Sequence, residues 1–79
     1  MSVKDYTEES LWPILIETVH SMVLYPHHKA YVSRVLLLER PDITSRDLSI
    51  SLGIPLGEAI VLLHEIKEEN AQLKPKKNK

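Results

Sequence analysis

Apolar residues near the start of the chain recur at helical spacing: Trp12, Leu15, Ile16, Val19, Met22 and Val23 stand at i, i+3, i+4, i+7, i+10 and i+11. That spacing lays one stripe along one face, so it predicts a helix with a single buried side. Two capping signals could open it, Asp5 with Glu8 or Ser10 with Pro13 in the first turn, and Pro26 is expected to end it. His27, His28 and Lys29 then lead into a second helix with Tyr31, Val32, Val35, Leu36 and Leu38 turned inward and Leu37 outward. Pro41 closes it, because the residue before a proline is pushed out of helical geometry.

The next stretch has the clearest local signals. Thr44 is a good N-cap, and Asp47 brings a carboxylate to the positive end of a short helix over 45–52 in which Leu48 and Leu52 face inward. Gly53 follows where a helix needs positive φ to stop, Ile54 plugs the turn, and Pro55 opens another helix. On that last helix Leu56, Ala59, Ile60, Leu63 and Ile66 are expected to be the buried face. The small residues Ser49 and Ala59 stand where two crossing helices would come closest. The polar stretch 68–75 is too short to form a two-stranded wing.

This pattern resembles the helix-turn-helix family, in particular the tri-helical core of winged-helix transcription regulators. The residues that carry the likeness are Ser45-Arg46-Asp47-Leu48-Ser49-Ile50-Ser51-Leu52-Gly53-Ile54-Pro55, followed by Ala59 and Leu63. The resemblance implies an all-α fold, a small bundle of about four helices around a helix-turn-helix core. It would form one domain over 1–73 with a disordered lysine-rich tail over 74–79. It also implies a stand-alone, DNA-associated transcriptional regulator, dimeric as many small regulators with this core are.

The residues themselves argue against groove reading. Successive positions on a helix are rotated by about 100°. With Ala59, Leu63 and Ile66 defining the core direction, the outward face of the second motif helix is Gly57, Glu58, Val61, His64, Glu65 and Glu68. No Lys or Arg is among them, and carboxylates are repelled by phosphate. The candidate phosphate contacts lie elsewhere: Thr44, Ser45 and Arg46 at a helix N-terminus, and Lys74, Lys76, Lys77 and Lys79 in the tail. DNA association would then be weak and mainly through phosphate. The competing class is a protein–protein interaction module that keeps the fold without reading DNA.

Composition narrows the remaining classes. With 79 residues, no cysteine and a formal net charge of −1, the chain is one small domain without a disulfide or Cys-based zinc site and without a bulk positive field. Apolar residues left off the predicted faces, with Leu11, Ile14 and Tyr25 foremost, suggest a homodimer surface. Neither a metal site nor a cofactor is expected: His27 and His28 diverge, and His64 with Glu68 is an ordinary helical pair. No nucleophile motif or phosphate-binding glycine loop is present, which argues against an enzyme. The absence of a long apolar run or a secretory leader makes a cytoplasmic protein without membrane partners the expectation.

Overall fold

The structure, a computed structural model, describes residues 8–73; the tail lysines Lys74, Lys76, Lys77 and Lys79 and the cap candidate Asp5 lie outside them. The described residues form a small all-α bundle of four helices with no strand. Helix α1 is Glu8–His20, α2 covers 25–39, α3 is Ser45–Leu52 and α4 is Leu56–Leu73. No single helix among the described residues is long and apolar enough to cross a membrane.

The local signals around α3 are realised as drawn from the sequence. The Asp47 amide donates to Thr44 Oγ1 at 3.1 Å, closing the N-cap. Ile43, just before the cap, and Leu48, in the second turn, are 4% and 0% exposed, which gives the helix entry an apolar staple. Gly53 adopts φ +67°, its N–H bonds the Ser49 carbonyl, and the Ile54 N–H reaches the same oxygen at 3.1 Å. The Ser49 hydroxyl donates to the Ile54 carbonyl at 2.6 Å, so this small residue serves the turn as well as the helix crossing. The α3–α4 pair is bent by 120°.

Further toward the N-terminus, several boundaries differ from those the pattern predicts. Helix α1 is already formed at Glu8, so Ser10 with Pro13 is not its opening turn, and Pro13 lies inside it. It stops at His20, and Pro26 opens α2 instead of ending α1. Proline is well suited to a first helical turn, where its missing N–H would have no partner anyway. Val23 therefore lies in the connecting loop, 86% exposed, instead of continuing the α1 stripe.

Helix α2 contains one wide turn of π-helix, Val32–Leu36, in which the Leu37 N–H reaches back to the Val32 carbonyl. The extra residue in that turn rotates the following segment relative to the preceding one. Leu36 and Leu37, adjacent in sequence, both pack partly buried against the core, and Leu38 points into solvent. The inward face is thus Tyr25, Val32, Leu36 and Leu37, whereas Tyr31, Val35 and Leu38 are exposed. A regular α-helical wheel cannot anticipate this, because it assumes an unbroken period.

Helix α4 packs against each of the other three. Glu58, Ala59, Val61, Leu62, Leu63 and Ile66 are all buried, an arc covering most of its circumference. Gly57 is half-buried, and a Cβ there would stand 3.1 Å from Leu15 Cδ1, so the missing side chain lets α1 come close. Replacing Gly53 with valine should lower stability by about 1 kcal/mol or more, through backbone strain at positive φ. Nothing lies within 4 Å of a Cβ at Gly53, so crowding adds nothing. A urea denaturation midpoint unchanged from wild type would contradict this account of the turn.

Candidate functional site

The acidic residues of α4 do not form the outward face that the wheel assigns to them. Glu58 and Val61 are 2% and 0% exposed, Gly57 is covered by Leu15, and Glu65 is largely buried against α2 and the end of α1. Of that predicted face only His64 and Glu68 are exposed. The wheel placed Leu56 and Ile60 inside, and both are exposed, 40% and 37%. The solvent stripe of α4 is Leu56, Ile60, His64, Lys67, Glu68 and Ala71. Both errors have one cause: the core direction was fitted to a helix with a single partner, whereas this one has neighbours on two sides.

The carboxylates of Glu58, Glu65 and the exposed Glu69 are met by a complementary set of donors from α1 and α2. Tyr25 and Lys29, one turn apart on α2, meet Glu65 and Glu69, one turn apart on α4. The Tyr25 hydroxyl donates to Glu65 Oε1 at 2.5 Å, and Lys29 Nζ donates to Glu69 Oε2 at 2.5 Å while standing 3.5 Å from Glu65 Oε1. His20 Nε2 approaches Glu65 Oε2 at 2.7 Å, so both oxygens of Glu65 are engaged. Burial raises the Tyr25 hydroxyl far above the ordinary tyrosine range, and the Glu65 hydrogen bond and the nearby acidic charges push it further. For Glu65, burial works upward, but the hydrogen bonds from Tyr25 and His20 and the charges of His20 and Lys29 outweigh it, and the carboxyl is held low. Burial works downward on Lys29, where the Glu69 hydrogen bond and the two carboxylates prevail and raise it.

Glu58 is satisfied only in part. His28 Nδ1 lies 2.6 Å from its Oε2, a contact that needs one proton between the two atoms, while Oε1 is sealed from solvent with no hydrogen-bond partner among the described residues. An uncompensated buried carboxylate costs several kcal/mol. Beside this pair lies a cavity of about 280 Å³, lined by the α1–α2 loop, the α3–α4 turn, Tyr25, His28 and Glu58. A more open hollow of about 470 Å³ lies over His20, Lys29, Glu65 and Glu69. The smaller cavity has a carboxylate–imidazole pair in its wall.

Of the other residues singled out in the sequence, Thr44 and Arg46 are exposed and Ser45 is half-buried at the start of α3. The Thr44 hydroxyl accepts the Asp47 amide, and the Asp47 carboxylate stands 3.9 Å from Arg40. The first turn thus already carries an anionic side chain. Leu11 and Ile14 are exposed on α1, as a dimer surface requires, but Tyr25 is 5% exposed and does not belong with them. No group of three or more His, Asp or Glu residues among the described ones could hold a metal ion. The roles of His20, His28 and Lys29 escaped the sequence reading. Their one signal was a row of basic and hydroxyl groups on α2 matching a row of acids on α4.

The sequence matches no protein-family model, and comparison with curated proteins and with solved structures gives no match either.

Two measurements test this arrangement. His28→Ala leaves the Glu58 carboxylate without its donor and should cost about 3 kcal/mol, whereas Glu58→Met should be near neutral or stabilising, since it removes the buried charge and keeps an apolar side chain of similar length. Equal losses in the two variants by urea denaturation would show that the pair is not buried together. Because Glu65 is held below its unfolded value, its contribution is present above the unfolded carboxylate range and lost as pH falls through the folded value. Glu65→Gln should therefore lose less stability than wild type between about pH 6 and pH 3; parallel loss in both proteins would remove Glu65 as a source of acid sensitivity.

Proposed function

We propose that the chain is a protein-interaction module built on a helix-turn-helix frame, with a second copy of itself as its simplest partner. The observation that carries this reading is the solvent stripe of α4. In a groove-reading helix the first turns present hydrogen-bond donors to base edges; here they present Leu56 and Ile60. Of the stripe's side chains, Lys67 is the one that is always cationic. Apolar side chains are also unpartnered on α2, where Tyr31, Val35 and Leu38 are 47%, 37% and 79% exposed at i, i+4 and i+7. With Leu11 and Ile14 on α1, they give a small domain more apolar surface than a lone monomer needs to expose.

DNA association is the second reading, and two observations favour it. The 120° bend of α3 and α4 around a left-handed Gly53 fits the helix-turn-helix range of about 90–120°. Glu58 is buried against His28, and Glu65 is turned inward to Tyr25, His20 and Lys29, so neither faces a duplex. What it lacks, among the described residues, is a basic side chain in the first turns of α4.

Titration of the full chain with a mixed-sequence duplex, followed by sedimentation equilibrium, separates the two readings. The protein reading expects self-association that Leu38→Glu abolishes, leaving a ~9 kDa species. It also expects any low-salt duplex binding to vanish when Lys74, Lys76, Lys77 and Lys79 are replaced by serine, with Arg46→Ser and Lys67→Ser having no effect. Duplex binding that survives loss of the tail lysines and falls with Arg46→Ser, with a log–log salt slope near 0.9 per phosphate, would favour DNA instead.

A further inference from the structure

The cavity beside Glu58 has an unusual combination of walls. Met22, Leu24, Ile54 and Pro55 give it an apolar body, and the Glu58–His28 pair gives it one polar wall. Glu58 is 2% exposed, and Oε2 already has His28 while Oε1 has no partner. The acidic side chain of Glu58 barely meets water, and one of its two oxygens lacks a donor. A group that brings a positive charge and hydrogen-bond donors together would answer both deficits, whereas an anion would be repelled and a purely apolar ligand would leave Oε1 unsatisfied. The volume of about 280 Å³ lies at the bottom of the usual small-molecule range, which begins near ~300 Å³, and suits a short chain better than a fused ring system.

We propose that this cavity binds a small alkylamine, its ammonium directed to the Glu58–His28 pair and its alkyl chain against Leu24, Ile54 and Pro55. Glu58 lines the cavity but Oε1 itself is sealed, so the ammonium reaches it through a small shift of the side chains around it. The walls come from the loop after α1, the first turn of α2, the turn between α3 and α4, and the first turn of α4. A bound amine would tie that loop to the turn, linking the position of α1 to the α3–α4 pair. This site is independent of the protein-interaction reading, since it uses none of the exposed apolar rows of α2 or α4.

The test is an amide NMR titration of the full chain with n-butylammonium and, separately, with n-butanol, which has the same shape without the charge. The proposal expects butylammonium to bind in roughly the millimolar range, as its few heavy atoms allow, and about tenfold tighter than butanol. Shifts should concentrate at residues 22–25, 28, 53–55 and 58. Equal affinity for the two probes, or shifts that avoid these residues, would overturn it. In Glu58→Gln the preference for the cation should disappear, and its retention there would also overturn the proposal. If that variant does not fold, the two-probe comparison on wild type decides alone. Nα-acetyl-lysine N-methylamide, with its side-chain amine free, carries the same ammonium on a peptide unit: binding weaker than butylammonium supports a free amine, and tighter binding would assign the cavity to a partner's side chain and overturn the small-ligand proposal.

Discussion

The described residues share one hydrophobic core, and the burial of a single helix within it is the constraint on which the rest of the fold depends. Helix α4 takes that position. Its Ala59, Val61, Leu62, Leu63 and Ile66 are buried among residues of the other three helices, and everything else in the fold follows from giving it neighbours on two sides. Gly57 lets α1 approach through Leu15, Gly53 lets α3 turn back over it, and the wide turn in α2 brings both Leu36 and Leu37 to the core.

Surrounding α4 also draws two of its carboxylates, Glu58 and Glu65, inside. Glu65 is provided for on both oxygens, by Tyr25 and Lys29 on one and His20 on the other, so the charge is kept at the cost of ordering several side chains. Glu58 is provided for on one oxygen only. The difference separates a structural ion-pair network, which ties α2 to α4, from a group with unused hydrogen-bonding capacity beside a cavity. Buried polar groups left half-satisfied weaken a fold, which is why Glu58 directs attention to what the cavity could receive.

The same packing changes what the surface offers. An α4 with Glu58 and Glu65 outward would present a more repulsive face to nucleic acid; with them inward it presents Leu56, Ile60, His64 and Lys67, with Glu68 beside them. That face is close to neutral and apolar in its first turns, and with the exposed row on α2 it forms a surface suited to protein contact more than to a phosphate backbone.

What the sequence determined by itself was local. The Thr44 cap, the α3 span over 45–52, the positive-φ turn at Gly53, the inward Leu48 and the all-α composition depend on hydrogen bonds and dihedral preferences within a few residues, and these are written in neighbouring side chains. Leu11 and Ile14 are exposed, as their place off the α1 stripe predicts. What only the tertiary structure decided was every assignment that depends on how many partners a helix has. The reversal of Leu56 and Ile60 with Glu58 and Val61, the burial of Tyr25, the outward turn of Leu38 and the pairing of His28 with Glu58 all belong here. A periodic pattern shows that a helix has a buried face, but its width is set by neighbours far along the chain, and a π-turn or a buried ion pair leaves no trace in that period.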